Sequence, residues 1–231
     1  MSTEKIRPWH AFTYRDYRVL WSVLIASAVV LWLRILGTSQ WLFDETGSAA
    51  LVGLIGVVQL IVQIPALLWG GTLADRMDRK KVMALANAVT AAVLLTLGTL
   101  NLQDLLTPPL VYLGIALTAM SQMIGTPARG ALVPTVIPER HLMLASSTDT
   151  ASQNAAAIAG PLLFAVVAVN AGLSVAFLLG GAISLLASVL PLLVRVAGRA
   201  ERDGDEASPK PSALKETVEG FRFVYRHPIL P

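Results

Sequence analysis

Between Asp75 and Lys81 the chain sets six charged residues in seven positions, Asp-Arg-Met-Asp-Arg-Lys-Lys, directly after a small-residue stretch that includes Gly70 and Gly71. Carboxylates and guanidinium groups at this density can form ion pairs that make and break. They can also hydrogen-bond the free backbone groups of a helix end, and Asp75 is placed to accept backbone N–H groups near such an end. The second conspicuous group is Arg34, a lone cation inside the apolar stretch from Val19 to Phe43. Catalytic groupings are absent from the apolar stretches: His10, His141 and His227 lie outside them, and none carries paired carboxylates. Acid–base, nucleophilic and metal chemistry within these stretches is therefore not expected, so neither an enzyme nor a cofactor or metal site is predicted.

The elements that position these charges follow from composition. Of 231 residues, 55% are hydrophobic and 14% charged, against about 25% charged in an ordinary soluble domain. The chain has no cysteine, which excludes disulfides and thiolate metal ligation. Residues 46–74, 82–103 and 105–128 contain no Asp, Glu, Lys or Arg, and each run reaches the roughly 20 residues a helix needs to cross a bilayer core. Residues 150–194 are also uncharged but too long for one crossing, and "VNAGLS" around Asn170 and Gly172 supplies the turn that divides them. With Val19–Phe43 these runs predict six membrane-spanning helices.

Basic residues fix the expected orientation. With a cytoplasmic N-terminus, every Lys and Arg except Arg34 falls on the inner side, and the loops "DETGSA", "NLQDLLTPP" and "VNAG" on the outer side contain none. No cleavable signal is expected, so the first span should remain in the mature protein. The predicted layout is a cytoplasmic segment over residues 1–18, a six-helix bundle over 19–195, and a cytoplasmic linker over 196–231 whose Leu214, Val218, Phe221 and Tyr225 mark an amphipathic helix. The expected location is the cell membrane, multi-pass, with both termini in the cytoplasm.

Polar residues within the spans mark candidates for a solute path. A cation at mid-span costs about 2.5–3.5 kcal/mol on insertion scales and therefore faces a bundle interior or an aqueous cavity. Arg34 either contacts a substrate or coupling ion there, or it snorkels or satisfies carbonyls at a helix break near Gly37. Trp32 and Trp41 flank it, as interfacial belt residues or as an aromatic wall. Gln59 and Gln63 are four apart and share a helix face, which either lines a water-filled path or bonds helix to helix. Gln122 on the fourth span, and Gln153 with Asn154 on the fifth, allow the same two readings. Pro65 and Pro161 lie within spans and permit kinks, and the small residues Ala155 to Gly160 permit close helix packing.

The stretch "GTLADRMDRKK", Gly71 to Lys81, resembles the signature between the second and third helices of the major facilitator superfamily, with Asp78 in place of the usual glycine. "FTYRDYRVLW" near the start, "TPARGALVP" from Thr126 and "EGFRFVYRHPIL" from Glu219 are similar to the branch of that superfamily containing siderophore and macrolide exporters. Gly160-Pro161 resembles the core of the fifth-helix antiporter motif, although Ala156, Phe164 and Ala165 stand where that motif has glycines.

The resemblance implies an all-α integral membrane fold, the N-terminal six-helix half of a twelve-helix transporter, ending where a seventh span would begin. It implies secondary active, proton-coupled export of a small organic solute by alternating access. The expected partners are the solute, the lipid bilayer and a second six-helix half, either a missing C-terminal half or another chain, and no nucleic acid. In such transporters the motif residues Gly71, Asp75 and Arg76 serve a cytoplasmic latch, and Arg79 pairs with an acid on a neighbouring helix, for which Asp149 is the first candidate and Glu139 the second. A membrane module that assembles with or regulates a partner, without transporting anything, is the other class the sequence allows.

Overall fold

The structure, a computed structural model, describes residues 8–76 and 78–195, with side chains described for 10–64 and 78–195. After a 3-10 turn at Pro8–Thr13 come six helices: α1 (Arg15–Thr46), α2 (Ala49–Arg76), α3 (Arg79–Leu102), α4 (Pro108–Val136), α5 (Glu139–Ala171) and α6 (Leu173–Val189), the last continued by a 3-10 turn at Leu190–Leu193. All regular structure among the described residues is helical. Five helices, with α6 counted through Leu193, are long and apolar enough to cross a membrane. The other, α2, is a 28-residue helix whose described portion, Ala49–Ile64, is apolar. The linker, the amphipathic helix and the side chains of Pro65, Gly71, Asp75 and Arg76 lie outside the described residues.

Local chemistry sets the helix ends. Gly47 takes φ 62° and returns its N–H to Phe43 O, closing α1 in the left-handed conformation that glycine adopts without a Cβ penalty. Gly172 at φ 86° separates α5 from α6 within the predicted "VNAGLS" turn. Pro108 and Pro109 open α4, where a missing N–H costs nothing.

At the basic end the helices run further than the uncharged stretches. The fourth continues through Pro127, Arg129 and Pro134 to Val136, so "TPARGALVP", read from sequence as following the fourth span, is helix. The fifth begins at Glu139, and Asp149 lies ten residues inside it, about 15 Å along its axis. A charge-free run locates only the part of a helix that must be apolar; the backbone pattern continues beyond it. The break expected near Gly37 is absent, because α1 is unbroken from Arg15 to Thr46. Gly37 instead makes room for a ring: a Cβ there would sit 2.9 Å from Phe177 Cε1.

Helix α1 packs on α5 and α6, α4 packs on α2 and α3, and α3 joins α6. Advancing each label by three maps the first set of contacts onto the second, so α1–α3 and α4–α6 occupy equivalent places, the signature of a repeated three-helix unit. Two apolar clusters plug the bundle. One, at the end where α1 begins, gathers Tyr17, Leu20, Met83, Leu132 and Ala145; the other, toward the opposite end, gathers Trp41, Leu42, Leu97, Val111 and Phe177.

Candidate functional site

Between the two plugs lies a cleft of about 250 Å³. Ser27 of α1, Asn87 and Thr90 of α3, Ser121 and Gln122 of α4, and Ser184 of α6 line it, together with aliphatic side chains such as Val23, Leu24 and Leu31. Gln153 of α5 and Arg129 of α4 also reach it. Much of the lining is held by bonds between helices or back to a helix's own carbonyls: Ser27 Oγ donates to Asn87 Oδ1 at 3.3 Å, Ser184 Oγ to Asn87 O at 3.0 Å, and Ser121 Oγ to Leu117 O. The result is an aliphatic wall with fixed amide and hydroxyl groups, the usual composition of a small-molecule site. Among the described residues no carboxylate lines it.

A charged cluster ties the helices together at the end where α1 begins. Arg129 Nη2 meets Asp149 Oδ2 at 2.6 Å, with the two side chains 15% and 11% exposed. Tyr17 donates its hydroxyl hydrogen within reach of Asp149 Oδ1 at 3.0 Å and Ala145 O at 3.2 Å, and Arg129 Nε donates to Leu20 O. Trp21 Nε1 bonds Ser152 Oγ at 2.8 Å, and Phe12 packs edge-on against both Tyr17 and Trp21. One carboxylate on α5 thus gathers α1 and α4.

Beyond the cleft, in the other direction, lies Arg34. It is 3% exposed; its Nη1 donates to Thr118 Oγ1 at 3.0 Å, and its buried Nε has no hydrogen-bond partner among the described residues. The ion pairs among the described residues are Arg15–Asp16 and Arg129–Asp149, so no described carboxylate balances Arg34.

The pairing expected between Arg79 and Asp149 is corrected. Asp149 is held by Arg129 and Tyr17, whereas Arg79 Nη1 donates to Ala131 O at 3.1 Å. Arg129 sits inside α4 and faces α5, a partner closer in space than the first turn of α3. Asp78, the residue replacing the motif glycine, is the N-cap of α3 and accepts from Lys80 N–H at 2.9 Å; the side chain of Asp75, the aspartate expected to accept backbone N–H groups, lies outside the described residues. An Asp immediately before a run of helix formers is a cap signal, so this was readable.

Of the solute-path candidates, Gln122 lines the cleft. Gln59 and Gln63 are half-buried on α2, Asn154 is exposed on α5, and none of the three lines it. Gly160 has no room for a side chain, since a Cβ would lie 2.7 Å from Trp32 Cδ1 and 2.8 Å from Trp32 Cβ. Trp32 is therefore an α1–α5 packing residue. Trp41 is buried and donates to Asn101 Oδ1 at 2.6 Å, so it is not part of an interfacial belt. Pro161 falls within a continuous α5, and the α2 backbone continues as helix past Pro65. Sequence reasoning passed over Asn87 and Arg129. Asn87 had a signal, as an amide well inside an apolar run; Arg129 was hidden by its place among cations assigned to loops.

A multi-pass helical bundle holding an aliphatic cleft with fixed hydroxyl and amide groups is the class of molecule these features define. The chain belongs to the Major Facilitator Superfamily, whose family model matches residues 19–231. It is 28% identical to macrolide efflux protein A of Streptococcus pyogenes over 225 residues, covering 94% of this chain and 52% of that protein. A Na(+), Li(+), K(+)/H(+) antiporter of Planococcus maritimus is 28% identical over 139 residues, 57% of this chain and 33% of the relative. The uncharacterized MFS-type transporter YfiS of Bacillus subtilis is 27% identical over 180 residues, 76% of this chain and 42% of the relative. The chain thus spans about half or less of the length of these relatives.

Proposed function

We propose that this chain forms the N-terminal half of a secondary transporter that exports a small organic solute by alternating access, coupled to protons. The observation that carries this reading is the cleft. Its fixed hydroxyl and amide groups lie between apolar plugs, and α1 and α4, the helices at equivalent places in the two three-helix units, both contribute to its wall. Relatives named for macrolide efflux and cation/proton antiport support export and ion coupling.

The exposed side of α5 supports a second half. Ser146, Thr150, Gln153 and Asn154 form an exposed polar stripe near helical spacing, which is poorly suited to lipid and well suited to an aqueous path or a facing protein surface. Further along the same helix the exposed residues turn apolar at Ile158, Leu162 and Val166, as lipid or a partner helix requires. In this reading the α2–α3 junction at Asp75–Lys81 and both termini face the cytoplasm. Asp75 and Arg76 latch the two halves, and Arg34, Gln59, Gln63, Gln122 and Asn154 face solute or ion at some stage of the cycle.

Flux into vesicles is the test, with this chain alone and with a matching second half. Flux that requires both supports the proposal; flux from the isolated monomer refutes it. In the completed transporter, Asp75→Asn is expected to abolish flux while membrane insertion stays intact. Unchanged flux would remove the latch.

A further inference from the structure

We propose that the solute carries a carboxylate or similar anionic group, and that Arg34 receives it at the end of the cleft remote from Asp149; the inference rests on the transport reading above. Leu31 and Val30 of α1 line the cleft, and Arg34 follows them by three and four residues on the same helix face. On α4, Ser121 and Gln122 line the cleft, and Thr118 precedes them by three and four residues. The Arg34–Thr118 hydrogen bond therefore lies one turn beyond the lining on both helices. Side chains on a helix lean toward its N-terminus, and for α1 that direction is toward the cleft.

The charge balance points the same way. Arg129 at the opposite end is neutralised by Asp149, and among the described residues no carboxylate lines the cleft and Arg34 is buried with a neutral hydroxyl as its one partner and an unbonded Nε. Thr118 already spends its own hydrogen on Gly114 O at 2.9 Å, so it offers Arg34 a lone pair and nothing more. An uncompensated guanidinium in low dielectric is costly until an anion reaches it, and its planar fork is suited to a carboxylate. The same field disfavours a cationic solute.

Three probes with one fluorophore test this: dansylglycine, its methyl ester, and the amine dansylethylenediamine. Each is titrated against the full chain in nanodiscs of phosphatidylcholine, which has no net charge to compete. The carboxylate is expected to bind about tenfold tighter than the ester or the amine, the scale of one charge-assisted pair. Arg34→Gln is expected to bring the three within about twofold of one another, while Arg34→Lys retains the preference for the anion. The wild-type order stands as a test even where a variant does not fold. A carboxylate no tighter than its ester, including no binding by any probe, overturns the proposal, as does a preference that survives Arg34→Gln. Neither result bears on vesicle flux, so the transport reading stands or falls separately.

Discussion

Arg129 and Arg34 are both guanidinium groups within the helical bundle, and they are treated in opposite ways. Arg129 has a carboxylate at 2.6 Å and the Leu20 carbonyl on its Nε, and that carboxylate is itself bonded by Tyr17. Arg34 has one hydroxyl and an unbonded Nε. The contrast separates two uses of buried charge. A charge with its counter-ion ties helices together, and removing one partner leaves the other stranded; a charge without one is held at a cost, which a ligand can relieve.

The largest expected effect is on the paired side. Asp149→Asn leaves Arg129 without its counter-ion and should lower stability by about 3 kcal/mol, at the low end for breaking a buried pair because both side chains keep some exposure. Thermal unfolding in detergent, followed by helix content, measures it. Replacing both partners, Arg129→Met with Asp149→Leu, should recover much of the loss, because apolar residues can substitute for a pair but not for half of one. A single variant as stable as the wild type would show that the cluster does not hold α4 to α5.

The packing of α1, which carries Arg34, on α5, which carries Asp149, offers a second test of intermediate size. Gly160→Ala places a methyl 2.8 Å from Trp32 Cβ, an atom too near its backbone to swing aside, so α5 must move off α1. Overpacking of this kind costs roughly 1–3 kcal/mol. Trp32→Leu combined with Gly160→Ala should restore part of it in the same unfolding measurement; no rescue would mean that the strain lies elsewhere.

The sequence made the helices legible because crossing a bilayer demands a long uncharged run, and such runs are visible without knowing any contact. The turn at Gly172 was legible for a similarly local reason, since a glycine two residues after an asparagine interrupts a 45-residue uncharged stretch. What was not legible depends on which faces meet. Arg79 and Arg129 are both cations flanking uncharged runs, and only the approach of α4 to α5 at this point gives Asp149 to the second. Gln59 and Gln63 share a face, as their spacing requires, but neither lines the cleft, whose amides among the described residues come from Asn87, Gln122 and Gln153. Spacing shows that residues share a face; packing decides what that face looks onto.

The smallest expected change in stability sharpens the comparison most. Arg34→Met removes the bond to Thr118, and interhelical hydrogen bonds of this kind average about 0.6 kcal/mol in membrane proteins. Thr118 is not left with a stranded donor, because its hydrogen remains on Gly114 O. The unbranched Met side chain fills a comparable path through the core and carries no charge to desolvate. Against the lost bond stands relief of a cation that costs about 2.5–3.5 kcal/mol at mid-span on insertion scales, part of which the existing bond already offsets. The balance should leave Arg34→Met as stable as the wild type or more stable by about 1 kcal/mol, opposite in sign to Asp149→Asn under the same conditions. A loss comparable to that of Asp149→Asn would mean that Arg34 braces the bundle as Arg129 does, and the case for a site held ready for an anion would lose its energetic basis.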